Sequence, residues 1–86
     1  MYLFIGGSTI VRTRDIVGIF DLDTSTISQT TKNFVRMCEK NGLSDSATPN
    51  LPKSFILSAE NPSQFKIQYS QISAKVLIER NAKGIF

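Results

Sequence analysis

The sequence predicts a small α+β domain: a mainly antiparallel sheet with one long helix and a short C-terminal helix. Three observations predict it. Short apolar or alternating runs, separated by Gly, Pro, Asn and Ser, recur in both halves of the chain, as strands joined by turns do. One central stretch, residues 24 to 42, repeats its apolar residues at helical spacing instead. The strand-like runs cluster on either side of that stretch rather than alternating with helices, which favours α+β over a parallel α/β sheet.

The first strand is "YLFI", residues 2 to 5, and the paired glycines of "GGS" turn the chain after it. "TIVR" reads as the second strand. On an extended chain Ile10, Arg12 and Arg14 share one side, and Val11 and Thr13 the other. "DIVGIFDL" is apolar and β-branched, as a buried strand is. Gly18 inside it marks a bulge or a close approach. Residues 9 to 22 are either one bent strand or two.

In "DTSTISQTTKNFVRMCEKNGL", Thr24, Ser25 and Thr26 can each cap a helix, because a hydroxyl accepts from free backbone N–H groups. Ile27, Thr31, Phe34, Val35 and Cys38 form the inward face. Gly42 ends the helix in the left-handed conformation. "SDSATPNLPK", residues 44 to 53, is a loop rich in turn formers, and "SFILSAE" returns as a strand. "NPSQ" turns into "FKIQY", whose alternation points Phe65, Ile67 and Tyr69 inward and Lys66 and Gln68 outward. Ser70 or Ser73 can cap a last helix through "ISAKVLIERN".

The chain has 86 residues, enough for a single domain over 1–86. A fold of this size buries only about 60% of its unfolded surface, so self-association would add stability. A hydrophobic fraction of 41% and a charged fraction of 20% match an ordinary soluble domain. No apolar run approaches the roughly 20 residues that span a membrane. The opening run lacks a basic flank and is too short for a signal peptide. The expected location is cytoplasmic, with no membrane partner.

Little in the sequence supports catalysis, and the expectation is a non-enzymatic protein with no cofactor and no small-molecule substrate. There is no histidine, hence neither the commonest general base nor the commonest metal ligand. The one cysteine, Cys38, lies on the apolar helix side beside Phe34, where a thiol is structural. Asp21 and Asp23 could share a cation, but turn and capping duties explain them equally. "GGS" precedes no helix and is no phosphate loop.

The basic residues are more informative. Net charge is +3 and the pI about 9.3, which permits nucleic-acid binding without requiring it. Lys32, Arg36 and Lys40 recur every fourth residue and span an arc of about 80° opposite Phe34 and Cys38. This stripe is either a solvated face or a phosphate-contacting ridge. Arg12 and Arg14 form a second basic pair. Asp15 can neutralise Arg14, which leaves Arg12 uncompensated. Lys53, after the proline-rich loop, is a third candidate.

"TRDIVGIFD", residues 13 to 21, and "PKSFILS", residues 52 to 58, together with the opening "MYLFIGG", resemble the RemA/RemB-like family of bacterial extracellular-matrix (biofilm) regulators. The likeness covers residues 1 to 70. It implies a DNA-binding transcriptional regulator whose protomer resembles the LytTR-like fold and which assembles as a homo-oligomeric ring. Basic residues repeated around the ring would form a track for double-stranded DNA. Affinity then comes from many weak contacts. Two positions depart from the family pattern. The arginine that precedes the "IV" pair falls here on Asp15, with Arg14 one residue earlier. The double arginine of the loop falls on Asn50 and Leu51, with Lys53 nearby. The expected function is a DNA-associated regulator using Arg12, Arg14, Lys53, Lys32, Arg36 and Lys40. The alternative is an oligomeric protein-interaction module that does not touch DNA.

Overall fold

A computed structural model of the chain describes residues 1–7, 9–22, 29–46 and 51–83. Its element order is β1 (Tyr2–Gly6), β2 (Thr9–Arg12), a 3-10 turn (Thr13–Asp15), β3 (Ile16–Asp21), α1 (Gln29–Lys40), β4 (Ser44–Ser46), β5 (Ser54–Asn61), β6 (Gln64–Ser70) and α2 (Ala74–Lys83). This is the α+β architecture the sequence predicts. β1 and β2 form a two-stranded antiparallel hairpin, and the other strands form a sheet in the order β3-β5-β6-β4. All its pairings are antiparallel except β4 with β6.

The four-stranded sheet lies between two layers, and side-chain alternation assigns each residue to one of them. Phe55 and Leu57 of β5, with Ile67 and Tyr69 of β6, face α1 and pack with Phe34, Val35 and Cys38. Ile56 faces the other way, onto Leu3, Ile5 and Val11 of the hairpin and Leu77 of α2. The sheet is therefore covered on both faces. This corrects the expectation for Gln68, which lies on the hairpin face and is only 5% exposed.

Residues 9 to 22 resolve into two strands in two different sheets, separated by the 3-10 turn. Gly18 does mark a bulge. The β3–β5 register shifts between Ile16 and Gly18, so Ile16 and Ile19, three apart, both reach the hairpin-side core. Val17 is displaced outward and is 59% exposed. A Cβ at Gly18 would stand 2.8 Å from the Phe20 ring, which lies stacked on Phe55.

The end of α1 and the start of α2 obey local rules. Gly42 has φ +71°, with Leu43 N–H bonded to the Cys38 carbonyl and Gly42 N–H to that of Glu39. That pair of bonds is a Schellman ending for α1. The proposed caps Thr24 to Thr26, along with Asp23 and Ile27, lie outside the described residues. Ser73 caps α2 through its Oγ, which accepts from Val76 N–H at 3.3 Å. Ser70 has a different task, tying the layers together. Its Oγ donates to the Ile5 carbonyl at 2.6 Å and accepts from Ile72 N–H at 3.0 Å. β4 departs from the loop expected at 44 to 53, because Ser44–Ser46 pairs in parallel with β6.

Candidate nucleic-acid interface

The hairpin and its exit turn bring Arg12 and Arg14 to one end of the molecule. β2 ends at Arg12, and the chain then tightens into a 3-10 turn instead of staying extended. Thr13 N–H bonds the Met1 carbonyl at 3.0 Å, which holds the turn against the start of β1. Cross-strand register sets Tyr2 opposite Arg12. Met1, Tyr2, Arg12, Thr13 and Arg14 line an open cleft of about 380 Å³. The Thr13 Oγ1 is buried with no hydrogen-bond partner among the described residues.

The electrostatics of this turn correct the sequence reading. Arg12 is not uncompensated: its Nε donates to Asp15 Oδ2 at 3.1 Å. Arg14 Nε stands farther from the same carboxylate, 3.8 Å from Oδ1. Asp15 thus serves both arginines and favours the one expected to be free. The Asp15 side chain is 12% exposed, against 42% for Arg12 and 75% for Arg14. The 3-10 turn also ends the expected alignment of Ile10, Arg12 and Arg14 along one strand side.

The remaining candidates occupy other surfaces. Lys32, Arg36 and Lys40 are exposed on α1, as the helical stripe requires. α1 covers the sheet face opposite the hairpin, so the sheet separates this stripe from Arg12 and Arg14. Lys53 is exposed just before β5. Its N–H donates to the Ser70 carbonyl, and its own carbonyl accepts from Leu22 N–H. The six residues therefore do not form one basic surface: the sheet stands between the α1 stripe and the arginine turn, and Lys53 belongs to neither element. Leu51, where the family pattern has an arginine, is 89% exposed, and Asn50 lies outside the described residues.

A second open space, about 410 Å³, lies between the hairpin and the far ends of β5 and β6. Ile10 and Arg12 line one wall, with Ser58, Lys66 and Gln68 across from them. Charges of both signs border it, including Asp15 and Glu60, so it is no anion funnel. Among the described residues, no group of three or more acidic, Cys or His side chains could hold a metal ion. No helix among them is long and apolar enough to cross a membrane.

Cys38 is fully buried, and burial raises its pKa, with the charge of Glu39 adding to the effect. A thiol held protonated is a poor nucleophile. Tyr69 is pushed up to about 12 by burial, then by its hydrogen bond to Glu39 and by the charges of Glu39 and Cys38. Its hydroxyl donates to Glu39 Oε2 at 3.0 Å, joining β6 to α1. A phenol whose folded pKa exceeds its unfolded value stabilises the fold below pH 10, the unfolded value. That contribution is lost as pH rises from about 10 towards 12. Wild-type protein is expected to lose stability across this window, and Tyr69→Phe to remove that part of the decline. Urea midpoints measured across the window test this, and parallel profiles for the two proteins would refute it.

No family model matches the chain, and no curated protein matches it.

Proposed function

We propose that this chain is a non-enzymatic, DNA-associated transcriptional regulator of extracellular-matrix genes. It acts as a homo-oligomer, in the form of a ring that presents basic residues along a DNA track. The motifs that resemble the RemA/RemB-like family supply the regulatory context. The observation that carries the DNA contact is the turn at 12 to 14, where two arginines border one open cleft and Arg14 is 75% exposed. A single cleft of this kind binds phosphate weakly. Repetition around an assembly multiplies it, since linked weak contacts give high avidity. Self-association finds support in exposed apolar side chains, notably Val17 on β3 and Ile78 on α2, the helix that packs against β3.

One observation favours the second reading, a protein-interaction module without DNA contact. Leu51 is apolar and 89% exposed where the family pattern carries an arginine. Apolar exposure of that degree suits a protein partner better than a phosphate.

Titration against long duplex DNA at low and at physiological salt separates the two. The regulator is expected to bind tightly at low salt and to weaken with a slope near −0.9 per phosphate neutralised. Replacing Arg12 and Arg14 together by Ala is expected to lower affinity at least tenfold and to lower the thermal midpoint as well, because the largely buried Asp15 carboxylate loses both its partners. Equal binding by wild type and double variant would remove the turn from the interface. Absence of binding at low salt, from a defined assembly, would favour the interaction module.

A further inference from the structure

We propose that Asp15 is a built-in competitor with phosphate for Arg12 and Arg14, so that its carboxylate sets how strongly each protomer grips DNA. The inference deepens the DNA-binding reading and rests on it. Arg12 and Arg14 converge on one carboxylate, at 3.1 Å and 3.8 Å. Two guanidiniums less one carboxylate leave one net positive charge at the turn. Each guanidinium still has N–H groups beyond Nε, since the fork carries five donors. Those groups supply the contact with a backbone phosphate entering the cleft beside Tyr2.

The geometry makes the competition unequal between the two arginines. Arg12 is hydrogen-bonded to Asp15 and less exposed. Arg14 lies beyond hydrogen-bond distance of the same group and is largely in solvent. Arg14 therefore meets phosphate first, and Arg12 follows only as its bond to Asp15 is exchanged. Asp15 itself does not line the cleft. It lines the neighbouring space between hairpin and sheet, so it acts on the phosphate through the arginines. This makes it a positioning residue. A weakened single contact also raises the dependence on copy number, because avidity compounds the affinity of each site.

The test compares Asp15→Asn with Glu79→Gln in full-length protein. Glu79 is exposed on α2, and its replacement changes net charge by the same amount. Long duplex DNA is titrated over a series of salt concentrations. Asp15→Asn is expected to bind several-fold more tightly than Glu79→Gln and to steepen the salt dependence, as added phosphate contacts do. In the wild type, the Nε–H resonances of both arginines are expected to shift on adding DNA, that of Arg14 at lower DNA concentration than that of Arg12, which keeps the proposal testable if Asp15→Asn folds poorly. Wild-type binding combined with equal affinities for the two variants, or with an unmoved Arg12 resonance, overturns the role of Asp15 alone. Failure of wild type and Asp15→Asn alike to bind at low salt overturns the DNA-binding reading and this inference with it.

Discussion

Phe55→Ala is expected to destabilise the fold by about 3–5 kcal/mol, the range for truncating a buried aromatic. Phe55 is 2% exposed and is the largest fully buried side chain among the described residues. It lies opposite Phe20 on one neighbouring strand and opposite Tyr69 on the other. Its ring stacks on Phe20 with centroids 4.8 Å apart and meets Tyr69 at 6.4 Å, tilted by 62°. Truncation therefore opens a cavity and breaks two ring contacts at the centre of the sheet. Domains have only about 5–15 kcal/mol in total, and one this small sits towards the lower end. Urea denaturation is expected to show a greatly lowered midpoint, or no folded baseline. Phe55→Leu retains most of the volume and is expected to cost less than half as much. A loss below about 1 kcal/mol in the alanine variant would contradict this packing. Phe34, which the helical spacing points inward, is only half-buried and meets Phe65 edge-on, so its truncation is expected to cost less.

The contrast between Phe34 and Phe55 shows where sequence reasoning succeeds and where it stops. Helical spacing does find the inner face of α1, including the buried Cys38. It does not reveal how far the sheet extends beneath that face, and this decides how deeply Phe34 is covered. The hairpin was legible because apolar strands flank a pair of glycines, both of which adopt positive φ. Gly18 was legible as an interruption, and the bulge follows from it. β4 was not, since Ser44, Asp45 and Ser46 carry no strand signal and pair through backbone groups that every residue has. Gln68 misled for a related reason. Polar residues alternate outward only when one sheet face is wet, and here the hairpin and α2 cover part of the second face.

At the candidate interface the residue types were legible but not their grouping. Arg12 and Arg14, spaced by two, read as one strand side, and nothing in "TRD" announces a 3-10 turn. That turn swings Asp15 back within reach of both arginines. Two conclusions about charge depend on this single backbone feature: Arg12 is paired, and Asp15 is shared. The separation of the α1 stripe from the arginine turn is likewise tertiary, because it depends on which sheet face each element covers. A DNA track built from both surfaces would need different protomers to contribute them.

Ser70→Ala is expected to cost about 2–4 kcal/mol, as much as many core truncations, although it removes one oxygen atom. Ser70 is fully buried on the hairpin-facing side of β6. The edge of a two-stranded hairpin leaves backbone groups that the main sheet cannot reach. Ser70 answers one of them by donating to the Ile5 carbonyl, and it accepts from Ile72 N–H where the chain turns into α2. Alanine would leave the buried Ile5 carbonyl and the part-buried Ile72 N–H without that partner, at roughly 1–3 kcal/mol for the first and less for the second. Ser54, also fully buried, donates its Oγ to the Ile72 carbonyl at 2.6 Å and makes the smaller half of the same tie. Ser54→Ala is accordingly expected to cost less than Ser70→Ala. Amide exchange at Ile72 is the local readout. In Ser70→Ala it should accelerate beyond the change in global stability, because the link between β6, β1 and the start of α2 is lost. A loss under about 0.5 kcal/mol, with exchange at Ile72 unchanged, would mean that the hairpin layer is held by its apolar contacts alone.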